Sequence, residues 1–124
     1  MVPVARQHAD QLISAELGRY HAARAEGDVQ TAWTALERVH VVAQPFPIPH
    51  FASHWQMLVF SIALRDWRET AGQLLRLVLV PVGSLTGRLP VGNTGRARIS
   101  AFRSMPIAPD LEALISRRDK PAAP

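Results

Sequence analysis

The chain contains no cysteine. This excludes disulfide staples, thiolate metal sites and cysteine nucleophiles. It also removes the simplest means of capturing soft ions such as Cu(I) or Hg(II), which prefer sulfur. Long apolar runs are missing too. The longest is Leu77-Val78-Leu79-Val80-Pro81-Val82, far short of the roughly 20 residues a membrane span needs, so no membrane partner is expected. The opening residues, Met1-Val2-Pro3-Val4-Ala5-Arg6-Gln7-His8, lack a basic stretch followed by an apolar one. No secretory signal is expected there, and a cytoplasmic location follows by default. Lysine is nearly absent: 13 of the 14 basic residues are arginine, dispersed and often set beside acids, as in Arg65-Asp66 and Arg68-Glu69. A formal charge of +4 spread in this way suits a solvated helix surface, and no nucleic-acid partner is expected.

What is present is enough apolar material, 48% of 124 residues, to build one hydrophobic core and one domain over 1–124. Four helices are expected in a core over 4–79. The first, about 4 to 26, repeats Leu12, Ile13, Leu17, Tyr20 and Ala23 at helical spacing and ends at Gly27-Asp28, a glycine stop followed by a capping aspartate. The second, about 29 to 43, carries Val29, Ala32, Trp33, Leu36, Val39/His40 and Ala43. Pro45, Pro47 and Pro49 argue against helix from 44 to 49, with Pro49 serving in the first turn of a third helix, about 50 to 65. Its expected inward stripe is Phe51, His54/Trp55, Leu58 and Ile62. Asp66 caps a fourth, about 67 to 79, with Trp67, Ala71, Leu74, Leu75 and Val78 inward.

A weak internal repeat relates Gly27-Asp28, Ala32 and Leu36 to Arg65-Asp66, Ala71 and Leu75. Each copy reads as helix, tight turn, helix, similar to the tetratricopeptide pattern. The expected fold is therefore all-α: a compact four-helix arrangement of two helical hairpins with an irregular C-terminal arm. From Pro81 to Pro109 the chain holds four prolines and four glycines, a density that argues against a long helix. Leu85, Leu89, Val91, Ile99, Phe102, Met105 and Ile107 nevertheless need burial, so residues 80–112 are expected to wrap the helices as an ordered arm. A short helix from Asp110 to Arg117 follows, and 118–124 should fray.

The chemistry concentrates on helices two and three. Glu37-Arg38-Val39-His40 sets a Glu-x-x-His pair one turn apart, and His50-Phe51-Ala52-Ser53-His54 sets a His-x-x-x-His pair. Three of the five histidines fall within 15 residues, where chance would place fewer than one. His40 and His54 both lie on inward stripes. Imidazole and carboxylate at such spacings are the usual ligands of zinc or iron, drawn from facing helices. Glu37, His40, His50 and His54 are thus the expected ligands of one transition-metal ion. Glu16, on the inward side of helix one, is a further ligand or a catalytic base, since a buried carboxylate needs a partner. One Glu-x-x-His is too few for a di-iron carboxylate centre within one chain. A single ion, or a site completed across a homodimer, fits better. If the site is catalytic, an open coordination position would activate water or O2 beneath a lid formed by residues 81 to 109. The rival expectation is a metal-free helical interaction module. His8 and His21 are assigned to solvent. Gly92-Asn93-Thr94-Gly95-Arg96-Ala97-Arg98 resembles an anion loop but lacks a P-loop ending, and a turn packed on the helices is the better expectation.

Four blocks together carry a family resemblance: Leu36-Glu37-Arg38-Val39-His40; Pro49-His50-(x)3-His54-Trp55-x-Met57-Leu58; Gly87-Arg88-x-Pro90-x-Gly92-Asn93-Thr94-Gly95; and Met105-Pro106-Ile107. In this order they resemble a bacterial family, domain of unknown function 3703, over roughly residues 12 to 111. The resemblance implies a small cytosolic bacterial protein and implies no activity. Val39 stands where alanine is expected and Ser104 where proline is expected, and neither is a proposed ligand.

Overall fold

Tight turns divide the chain into helical hairpins, and the sequence dictates both turns in the same way. The computed structural model describes residues 4–86, 93–97, 99 and 104–116, with 4, 5 and 83–86 described in backbone only. Helix α1 spans Val4–Ala25 and α2 Val29–Ala43. Helix α3 spans Pro47–Ala63, α4 Trp67–Thr86 and α5 Pro109–Ser116. All regular structure among the described residues is helical, as expected.

Between α1 and α2, Gly27 takes a left-handed φ of 74° and the Asp28 amide donates back to the Ala23 carbonyl at 2.9 Å. Between α3 and α4, Arg65 takes φ 57° and the Asp66 amide donates to the Ser61 carbonyl at 3.0 Å. This is the six-residue closure by which a helix satisfies its last carbonyls. Each aspartate then caps the next helix, Asp28 accepting from the Thr31 amide and Asp66 from the Glu69 amide, both at 3.1 Å. The repeat seen in the sequence is thus a repeat of turns. Arg65 occupies the position that glycine occupies in the first copy.

Helix α1 packs on α2, α3 on α4, and α2 joins the hairpins by packing on α3. The main core is Tyr20 and Ala23 from α1, Ala32, Trp33, Ala35 and Leu36 from α2, and Met57 and Phe60 from α3. A second cluster joins Ala9, Val42 and Leu111, flanked by Leu12, Ile13, Phe46, Ile107 and Ile115, and fixes α5 against α1. His8, expected in solvent, is half-buried at this junction, its Nε2 lying 2.7 Å from the Leu114 carbonyl oxygen.

Three expectations are corrected. Helix α3 begins at Pro47 instead of about residue 50. The first three N–H groups of a helix have no intrahelical partner, so Pro47 and Pro49 give up nothing there. The first amide that needs an acceptor is that of His50, which donates to the Phe46 carbonyl at 2.8 Å. Helix α4 runs through Pro81 to Thr86 instead of stopping at 79. A proline removes one backbone bond, and a helix already propagated over three turns continues at that cost.

The third correction concerns which way the outer hairpin faces. Trp67, Ala71, Leu74, Leu75 and Val78 point to solvent, with Trp67 62% and Val78 68% exposed. The buried side of α4 is Glu69, Thr70, Gln73, Arg76 and Val80. On α3, His54 and Leu58 face inward as expected, whereas Phe51, Trp55 and Ile62 face out. Of the arm, Ile107 packs on the second cluster and residues 93–97 lie against α2 and α4. Leu89, Val91, Phe102 and the side chain of Leu85 lie outside the described residues.

Candidate metal centre

Only Gln44, Pro45 and Phe46 separate α2 from α3, so the last turn of α2 stands beside the first turns of α3. His40 lies one turn before the end of α2, while His50 and His54 lie one turn apart at the start of α3. All three are buried. Their Nε2 atoms converge: His40 to His50 is 3.0 Å, His40 to His54 3.1 Å, and His50 to His54 3.2 Å. All three come from one chain, and among the described residues they form a group able to share one ion.

The surrounding hydrogen bonds decide where the protons are. His40 Nδ1 lies 2.6 Å from the Asn93 carbonyl oxygen. A carbonyl can only accept, so this nitrogen carries the hydrogen and Nε2 of a neutral ring is bare. His54 Nδ1 lies 2.7 Å from Gln73 Oε1. The Gln73 amide nitrogen meanwhile donates to Glu69 Oε2 at 2.8 Å and to the Gly95 carbonyl at 2.9 Å. Both are acceptors, so the amide cannot be turned round, and His54 also carries its hydrogen on Nδ1. Two bare Nε2 lone pairs therefore face each other at 3.1 Å. His50 Nδ1 is buried without a hydrogen-bond partner. A hydrogen on its Nε2 would leave the contact between His40 and His54 unrelieved.

A proton is a poor solution here. Burial lowers the pKa of both His50 and His54 to about 4, reinforced at His50 by the neighbouring His54 and at His54 by Arg76, against the pull of Gln73. Burial and the other two rings push His40 well below the usual histidine value. Cation ligation resolves the same geometry. With metal–nitrogen bonds of about 2.0–2.1 Å, ligand atoms stand about 3.3 Å apart around a tetrahedral ion and about 2.9 Å apart around an octahedral one. The observed triangle lies between the two.

The segment 93–97 closes the site from the side opposite α3. Gly95 has φ 82°, and a Cβ there would lie 2.7 Å from the His40 ring. Only glycine meets both the backbone conformation and the close approach. Asn93 is buried and its Oδ1 accepts from the Gly95 amide at 2.8 Å, which holds the turn. Behind it Arg96 bonds Glu69 at 2.5 Å and Glu37 at 3.2 Å, and stacks 3.8 Å above the Trp33 ring. The segment is thus packed on the helices, and Arg96 is committed to carboxylates instead of being offered to an anion.

The two expected carboxylates stand apart from the triad. Glu37 pairs with Arg96, and Glu16 is buried against Arg38 at 2.8 Å, with Arg38 reaching on to Asp110 at 3.0 Å. His21 is exposed, as expected. The sequence reading missed Gln73, Glu69 and Arg76. Glu69, Gln73 and Arg76 form a polar stripe along α4 that is inward because what it faces is polar, and local sequence does not say what it faces.

No helix among the described residues is long and apolar enough to cross a membrane. The family model described as "Protein of unknown function (DUF3703)" matches residues 7–115. No curated protein matches, and no solved structure matches.

Proposed function

The chain belongs to the DUF3703 family, and we propose that it is a metal-binding protein whose single transition-metal ion, zinc or iron, is held by the Nε2 atoms of His40, His50 and His54. One observation carries the reading: two imidazoles with their Nδ1 hydrogens already committed turn bare nitrogens on each other inside a buried site. The Nδ1–H bonds to a backbone carbonyl and a glutamine are the outer contacts that orient metal-bound histidines and raise their basicity. Glu37 acts through Arg96 and Glu69 on Gln73. Glu16 is held by Arg38, and a role as base is open to it only if that pair separates.

Three protein ligands leave a coordination position for water or a small substrate, as catalytic zinc sites do. An ion there supplies Lewis acidity, which suits activation of water by zinc or of O2 by iron. The same reading places the protein in the bacterial cytoplasm. No nucleic acid takes part, and each chain carries a complete site, so a homodimer would hold two. The rival, a metal-free interaction module, is favoured by the exposed apolar side of α3 and α4 but leaves the facing nitrogens unexplained.

The test is metal analysis of protein purified without an affinity tag and reloaded with Zn(II) or, anaerobically, Fe(II). One ion per chain is expected, lost in the His40→Ala/His54→Ala double variant. Stoichiometric binding that survives the double substitution removes these residues from the site.

A further inference from the structure

The outer hairpin presents an apolar face that nothing among the described residues covers. Ile48, Phe51, Trp55, Val59 and Ile62 on α3, with Trp67, Leu74, Val78 and Val82 on α4, are all exposed. On α3 they recur at spacings of three and four, on the side away from α2. The two rows meet where Pro47, Ile48 and Phe51 line an apolar groove with Val80 and Pro81. Among the described residues, charge on this side is confined to the α3–α4 turn. No Asp, Glu, Lys or Arg occurs between Arg38 and Arg65, and α4 keeps Glu69 and Arg76 inside. The opposite side of the molecule, on α1, exposes Asp10, Arg19 and Arg24.

We propose that this α3–α4 face is the interface of a homodimer, in which two hairpins pack across a two-fold axis to form a four-helix bundle. An aromatic side chain presents on the order of 200 Å². On that scale the face leaves on the order of 900 Å² of apolar surface in water. The largest patch on a typical monomer is about 300–600 Å², while a stable interface takes about 800 Å² from each partner. A second copy suits the chemistry better than a lipid surface. Helices that lie on membranes flank their apolar face with lysine and arginine, and among the described residues the only basic ones beside the face are Arg65 and Arg68, at one end. An uncharged face is also self-complementary, which a two-fold contact requires. A pair of antiparallel helices with one apolar face is half of a bundle. The inference is independent of the ion, since each chain holds its own three histidines.

Sedimentation equilibrium of the full chain from 1 to 100 μM tests it. The expected mass is twice the chain's 13.7 kDa, and Leu74→Glu with Val78→Glu should yield a monomer with unchanged helical circular dichroism and unchanged zinc stoichiometry. Should that variant fail to fold, dilution of the wild-type chain serves instead. Tryptophan emission shifts to the red as the dimer parts, because Trp55 and Trp67 return to water while Trp33 stays buried. A chain that is monomeric at 100 μM overturns the proposal, as does a dimer that survives both substitutions with its fold intact. A monomer that binds phosphatidylglycerol vesicles overturns it in favour of a membrane surface.

Discussion

At the scale of single residues the site is a matter of where hydrogens sit. Gln73 is the piece that the sequence hides best. It lies on α4, 19 residues from His54, and its role depends on Glu69 and Gly95 fixing its amide. Gln73→Met keeps the volume and removes the acceptor, freeing His54 to change tautomer. Outer contacts of this kind are worth about 10–100-fold in metal affinity, so zinc affinity measured against a chromophoric chelator should fall by that factor with helicity retained. An unchanged affinity would make Gln73 a packing residue. Glu16→Ala separates the two roles open to that carboxylate. It leaves Arg38 paired with the exposed Asp110 alone, so the cost should fall below the roughly 3–5 kcal/mol of a buried charge left without any partner. A lower denaturation midpoint with undiminished zinc stoichiometry is the expected outcome. Loss of the ion in a folded variant would return Glu16 to the ligand set. His40 and His54 were legible because each sits one turn from a leucine that faces the core. The Glu37–Arg96 pair was not, because it joins residues 59 apart.

At the scale of elements, turns and caps were legible and orientation was not. Gly27-Asp28 and Arg65-Asp66 announce a stop and a start through side chains that bond their own neighbours, so local sequence suffices. Asp66→Ala should therefore cost about 1 kcal/mol, as removal of an N-cap does, read by urea denaturation. A negligible change would mean that packing of α4 alone fixes the turn. Periodicity found the apolar side of α4 correctly but could not say what it faces. Placing Leu74 and Val78 inward assumed that the core is apolar everywhere. Here the interior that α3 and α4 share with the end of α2 includes three histidines, a glutamine and a glutamate, and the apolar side is turned out. Pro47 misled for a different reason: a proline is costly in the interior of a helix, but the third helix simply begins there.

For the whole molecule, the buried histidines couple folding to pH and to metal. In the metal-free protein the unfolded chain takes up protons on its histidines near pH 6.5, whereas folded His50 and His54 stay neutral down to about 4. The unfolded state binds more protons throughout that window, so stability falls as the pH drops from 6.5 towards 4. Melting temperatures of chelator-treated protein should decline between pH 6.5 and 5, and the decline should shrink in His50→Gln. A flat profile would mean the rings are solvated. Zinc at a hundredfold its dissociation constant should add about 2.7 kcal/mol at neutral pH, by binding only the folded chain.

The bare nitrogens of the triad meet at one point, and nitrogen-15 NMR of the imidazole rings reads this directly. Long-range proton–nitrogen correlation spectra of the metal-free protein at pH 7 should show His40 and His54 protonated on Nδ1, as their bonds to Asn93 and Gln73 require. One equivalent of zinc should then shift the Nε2 resonances of His40, His50 and His54 together, leaving His8 and His21 unmoved. A hydrogen on Nε2 of His40 or His54, with no Nε2 shift at saturating zinc, would contradict the account.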